Sequence, residues 1–155
     1  MNPFSIRLNL PEAAVRLRRS DRGVEIYDPL RRMWLVVRPE EWVRQQFTSF
    51  LATSLSVPAG LMANEVSIDL NGTSKRCDTV IYDRLLRPVC IVEYKAPSVT
   101  LTMAAVEQIA RYNLVLDVPW LIISNGLRHL SFVREGEVMR PCDHLPAYDE
   151  MTASR

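Results

Sequence analysis

Two short runs near the start of the chain, residues 24–27 and 33–37, are rich in apolar and β-prone residues, and the Asp28-Pro29 dipeptide between them marks a turn. This pattern predicts a β-hairpin, with residues 1–38 forming an extended N-terminal part of a single domain. The pattern then changes. Trp42, Val43, Gln46, Phe47, Phe50 and Leu51 recur at helical spacing from about Pro39, while Arg44, Gln45 and Thr48 fall on the opposite face. Pro39 suits a first helical turn because its missing donor would go unused there, and Glu40 and Glu41 favour the positive end of the helix dipole. Pro58 and Gly60 close the region.

Strand-type patterns follow at residues 65–70, 76–82 and 89–94. Asn71-Gly72 is a strong turn signal between the first two, and residues 83–88 join the others. A second helix is predicted at about residues 102–116, a strand at Trp120–Ser124, a turn at Asn125-Gly126 and a last strand at 127–133. Proline and charge beyond that point predict a tail or surface wrap over residues 135–155. A helix linking two strands in parallel-crossover fashion implies a mixed sheet with helices packed on it. The fold class is therefore α/β or α+β, with its core at residues 39–134.

Composition narrows the function classes. The chain has 155 residues, 48% hydrophobic and 24% charged, which fits one globular domain with a core of its own. With 19 basic and 18 acidic residues, the net charge of +1 gives no global attraction to nucleic acid, so any basic surface must be local. Cys77, Cys90 and Cys142 are an odd, widely spaced set without a CxxC pair, and His129 and His144 lack zinc-finger spacing. No segment reads as a signal peptide or a membrane span. A soluble, cytoplasmic protein is the expectation.

The densest chemistry is Arg76-Cys77-Asp78, followed after a turn by Glu93-Tyr94-Lys95. If the turn centres between Leu85 and Leu86, Asp78 lies opposite Glu93, with Cβ atoms roughly 4.5–5.5 Å apart. Strand alternation places Glu93 and Lys95 on one face and Tyr94 on the other. Two carboxylates and an ammonium would then share one sheet face, at the exit of Val89-Cys90-Ile91-Val92, an apolar run typical of a strand buried on both sides. Adjacent carboxylates repel, and a hard cation such as Mg²⁺ relieves them while keeping sites for water and phosphate oxygens. The set suits metal-assisted attack of water on a phosphodiester. It equally suits a plain salt bridge at a sheet end.

The sequence also resembles a known family. Asp78 with Glu93-x-Lys95 is similar to the PD-(D/E)xK nuclease core. The segments Pro39-Glu40-Glu41-Trp42-Val43-Arg44-Gln45, Lys75-Arg76-Cys77-Asp78, Ile91-Val92-Glu93-Tyr94-Lys95-Ala96-Pro97, Gln108-Ile109-Ala110-Arg111-Tyr112-Asn113 and Ser124-Asn125-Gly126 resemble the N-terminal nuclease domain of type I restriction enzyme R subunits, in its stand-alone form. They occur in the expected order over about residues 25–133. Cys77 stands where that core's name places a proline. The resemblance implies a restriction-endonuclease-like fold and a Mg²⁺-dependent DNA endonuclease in which Mn²⁺ substitutes. Asp78, Glu93 and the Tyr94 main-chain carbonyl would hold the metal, and Lys95 would serve the attacking water. Glu41 would support the metal through water, or act only as a helix-end charge or as a partner for Arg44. Gln108 would face the site, while Tyr112, one turn on, is expected to pack between helix and sheet. The sequence lacks a GxxxxGK[ST] phosphate loop, so motor and specificity functions would come from other chains, and a homodimer is a further expectation.

Lys75, Arg76, Arg111 and Arg128, with His129, are candidates for a phosphate-tracking groove, or are scattered solvated charge. Ser124-Asn125-Gly126 reads as a turn rather than a nucleophile elbow, and Cys77 and Cys90 as buried and inert thiols. Two rivals remain: a non-catalytic nucleic-acid-binding or scaffold module that keeps the fold, and a metal-dependent phosphoesterase acting on small nucleotides.

Overall fold

A computed structural model describes residues 3–70 and 72–155. The N-terminal region forms three antiparallel strands, β1 (Leu17–Ser20), β2 (Gly23–Asp28) and β3 (Met33–Val36), one more than the expected hairpin. The unexpected strand, β1, is short and mostly exposed, so it carries no buried alternation to betray it. Arg16 and Arg18 lie over the Trp34 ring, 5.3 and 4.3 Å from its centroid, and dress this small sheet with guanidinium groups.

Helix α1 (Pro39–Ser54) follows, with the proline and two acids in its first turn as expected. Val43, Phe47 and Leu51 are fully buried. The opposite face does not meet solvent. Glu41, Arg44, Gln45 and Thr48 are buried too, because the small sheet and its connections cover them and the charges are paired there. Periodicity locates a polar face but cannot tell a solvated one from one covered by matching charges.

The main sheet has six strands in sequence order: β4 (Met62–Leu70), β5 (Thr73–Tyr82), β6 (Pro88–Tyr94), β7 (Trp120–Ser124), β8 (His129–Glu135) and β9 (Val138–Cys142). All neighbours are antiparallel except β6 and β7, which run parallel and are joined through helix α2 (Met103–Leu114). Asn71 lies outside the described residues; Gly72 beside it has φ +78°, as a tight turn requires. The domain is α+β, with the mixed sheet at its centre.

Period-two alternation splits the core in two. Ile81, Cys90, Val92, Tyr94, Trp120 and Ile122 face α1, while Val80, Ile91, Leu121, Ile123 and Phe132 face α2. Strands β6 and β7 are thus apolar on both sides, which explains their unbroken hydrophobic runs. Burial pushes the Cys77 thiol up to about 11 and raises that of Cys90, so both stay protonated and unreactive.

The segment expected as a tail is part of the fold. It contains the edge strand β9, where Pro141 is tolerated because an edge has spare donor positions, and helix α3 (Tyr148–Ala153). Met151 is fully buried against the α1 side, and the Tyr148 hydroxyl donates to the Tyr82 carbonyl at 2.9 Å. His144 bridges Asp143 and Glu150, tying the end of β9 to α3. Two anchors among prolines and charges are too sparse a pattern to read from sequence.

Candidate active site

Strands β5 and β6 pair Thr79 with Val92, Val80 with Ile91 and Ile81 with Cys90. Continuing that register by one pair sets Asp78 opposite Glu93, as expected from the turn. A register shift between Ile81 and Tyr82 takes up the asymmetry of the loop, where Asp83 accepts from the amides of Leu85 and Arg87. Asp78 Oδ2 accepts from the Tyr94 amide at 2.8 Å, which draws its carboxylate to the end of β6. The Glu93 carboxyl is pushed up to about 7, first by burial and then by the neighbouring Asp78 charge. The two acids therefore do converge.

The cation bonded to Glu93 is Lys75, which forms an ion pair with Glu93 Oε1. Regular alternation from Asp78 would point Lys75 to the other face. The alternation is interrupted opposite Glu65, whose φ is +58°. On β4, Asn64 bonds Thr79 on the α1 side, while Val66 and Ile68 pack toward α2. Their cross-strand partners are Cys77 and Lys75, which turn the same way. This local kink is why strand parity missed the pair. Composition held a signal: the chain has 17 arginines and two lysines, Lys75 and Lys95.

Both lysines line one cleft of about 400 Å³ together with Glu93, Gln108, Ile109 and Tyr112. No ion pair is found for the Lys95 ammonium among the described residues, while its amide donates to the Ser124 carbonyl at 2.9 Å and extends the parallel ladder. Gln108 and Tyr112 present one face of α2 to the cleft. Tyr112 does not pack between helix and sheet: it is 47% exposed, and the Lys75 ammonium lies 5.3 Å from its ring centroid. The buried aromatic is Tyr94, whose hydroxyl meets Thr79 Oγ1 at 2.9 Å on the α1 side, leaving only its backbone at the cleft end of β6.

Glu41 sits in a different arrangement. Its carboxylate accepts from Arg31, Arg44 and Gln45, and no described contact joins it to Asp78 or Glu93. Arg44, expected as its helix partner, also bonds Glu65 at 2.7 Å and donates to the Asp78 main-chain carbonyl at 2.7 Å. Arg76 turns to Glu65 at 2.7 Å, and Arg128 reaches the Leu101 carbonyl at 3.4 Å. Arg111 is exposed on α2. Of the four basic candidates, only Lys75 lines the cleft.

The Ser124-Asn125-Gly126 turn connects β7 to β8. Ser124 Oγ lies 2.7 Å from His129 Nδ1, but the other ring nitrogen faces the Asn9 carbonyl rather than an acid, so no relay is formed. Asn125 accepts from the amides of Leu127 and Arg128, and Gly126 has φ +84°.

Residues 39–146 match the family of the type I restriction enzyme R protein N terminus (HSDR_N), and the chain belongs to that family. No curated protein matches it. Among solved structures it is similar to a chain of the cryo-EM structure of a DrdV–DNA complex, with 20% identity and a TM-score of 0.45 over 66% of this chain. The match spans 10% of that much longer chain. Among the described residues, no helix is long and apolar enough to cross a membrane.

Proposed function

We propose that this domain is a Mg²⁺-dependent DNA endonuclease of the PD-(D/E)xK type, acting in the cytoplasm. The observation that carries the reading is the meeting of Asp78 and Glu93 at the cleft, where the Glu93 carboxyl is held at about 7 by burial and by its neighbour. A carboxyl pair in this state fits a hard divalent cation, since positive charge between them removes the repulsion. A bound Mg²⁺ would supply polarisation of a phosphoryl oxygen and a more acidic water. Asp78, Glu93 and the Tyr94 main-chain carbonyl would hold it, with Mn²⁺ as a substitute.

The remaining roles belong to the chain's own groups. Lys95, which lines the cleft, steadies the attacking water and the charge that builds on the phosphate. Gln108 contacts the DNA backbone or orients Lys95 from α2. Arg111 and Arg128, both exposed, would meet backbone phosphates outside the cleft, and Arg76 would do so after leaving Glu65. Glu41 contributes through Arg44, which it helps to hold, rather than as a ligand. A second copy of the chain, or motor and specificity subunits, would supply cleavage of both strands and site selection.

A second reading, a DNA-binding module without catalysis, is favoured by the Lys75–Glu93 pair, which already neutralises one of the two acids. A cleavage assay on plasmid and linear DNA with Mg²⁺ or Mn²⁺ separates the two. Wild type should cut while folded Asp78→Ala and Lys95→Ala proteins do not. DNA binding without cutting by any of the three would establish the module instead.

A further inference from the structure

We propose that Lys75 is an internal counter-ion that occupies the Glu93 carboxylate until a divalent cation displaces it, and that the released ammonium then serves substrate phosphate. The inference rests on the nuclease reading of the Asp78–Glu93 pair.

Three observations support it. First, the two lysines of the chain share this cleft among 17 arginines elsewhere, and they are used differently: Lys75 is bonded to Glu93, while no ion pair is found for Lys95 among the described residues. Arginine would grip a carboxylate with a two-pronged fork; lysine is a single mobile charge on a flexible stem, suited to letting go. Second, the pair is largely withdrawn from water, with side-chain exposures of 17% for Lys75 and 12% for Glu93. An ionised Glu93 beside Asp78 therefore needs a cation there. With both acids ionised, Lys75 leaves the trio with one negative charge in excess. Adding a divalent cation makes it one positive charge in excess, so the ammonium and the metal compete for the same oxygen. Third, a second resting place exists. The Tyr112 face lies 5.3 Å from the ammonium on the wall of the cleft, so Lys75 can leave Glu93 without leaving the cleft.

The test uses the full chain at pH 8.5. Calorimetry with Mn²⁺ compares wild type, Lys75→Met and Asp78→Asn. Removing the competitor should tighten Mn²⁺ binding on the order of tenfold, while binding of a short DNA duplex in the presence of Ca²⁺ weakens. Lys75→Met binding Mn²⁺ no more tightly than wild type would overturn the proposal. Because Lys75→Met leaves the two acids without a cation, a second measurement keeps both lysines in place and charged. Reductive ¹³C-methylation gives two lysine signals, assigned with Lys75→Arg. Saturating Mg²⁺ should move the Lys75 signal strongly and the Lys95 signal less; an unmoved Lys75 signal in the Mg²⁺-bound protein counts against release. If neither wild type nor Lys75→Met binds metal, the nuclease reading fails and the proposal with it. If wild type binds metal but Lys75 neither moves nor competes, only the counter-ion role fails.

Discussion

Arg44 Nη1 donates to the main-chain carbonyl of Asp78 at 2.7 Å, so helix α1 holds the backbone that carries the first acid of the cleft. The guanidinium also pairs with Glu41 and Glu65, and its side chain is nearly excluded from water. Removing one partner of a buried ion pair strands the others and costs about 3–5 kcal/mol. Arg44→Ala should therefore lose stability on that scale in urea unfolding. Arg44→Lys, which keeps the charge but not the fork, should lose less. A loss below about 1 kcal/mol in Arg44→Ala would mean that the network relaxes around the gap.

The Glu93 carboxyl gives the metal-free protein a characteristic pH response. Its folded value, about 7, lies above the ordinary 4.5, so the native state holds this proton more tightly than the unfolded state does. The stabilisation is present in full below pH 4.5 and is lost as pH rises to about 7. Glu93→Gln should remove this slope. The difference in stability between variant and wild type, measured by urea unfolding, should shift in favour of the variant between pH 5 and pH 8. A difference independent of pH would show that Glu93 is not perturbed.

Met151 is fully buried, which makes α3 part of the core rather than an appendage. Met151→Ala should cost about 2–5 kcal/mol, the range for deleting a buried long side chain. Thermal unfolding should remain a single transition. A variant whose stability is unchanged, with α3 detached, would contradict the packing of Tyr148 and Met151 on the α1 side.

Gly126 combines φ +84° with close contact: a Cβ there would lie 2.7 Å from Leu8 Cδ2. The Gly126 carbonyl also accepts from the Asn9 amide at 2.8 Å, holding the N-terminal segment against the turn. Gly126→Ala should cost about 1–3 kcal/mol through backbone strain. Hydrogen exchange at the Asn9 amide should rise with it. Unchanged protection at Asn9 would show that the Leu8 side chain yields without disturbing the segment.

The site was legible in the sequence where local rules apply. The apolar run of β6 marked a strand covered on both faces, and the turn fixed a register that brings Asp78 to Glu93. Legibility ended where one residue departs from the rule. Glu65, at positive φ, interrupts the alternation of β4 and β5 and turns Lys75 toward Glu93. Tyr112 was misread because helical spacing says which residues share a face, not what that face meets. The cover over the polar side of α1 was out of reach for the same reason, since spacing does not say that the small sheet just before the helix folds back onto it.

Asp28 bonds Arg31, Arg31 bonds Glu41, Glu41 bonds Arg44, Arg44 bonds Glu65 and Glu65 bonds Arg76, so one line of alternating charge runs from the small sheet through α1 into β5. The stretch that matches the family, residues 39–146, breaks that line at Arg31 and leaves out Tyr148 and Met151. The unit recognisable by kinship is thus smaller than the unit that folds. A protein trimmed to the recognisable stretch would expose half of an ion-pair network and a wound in its core, and its failure to cut DNA would say nothing about the cleft.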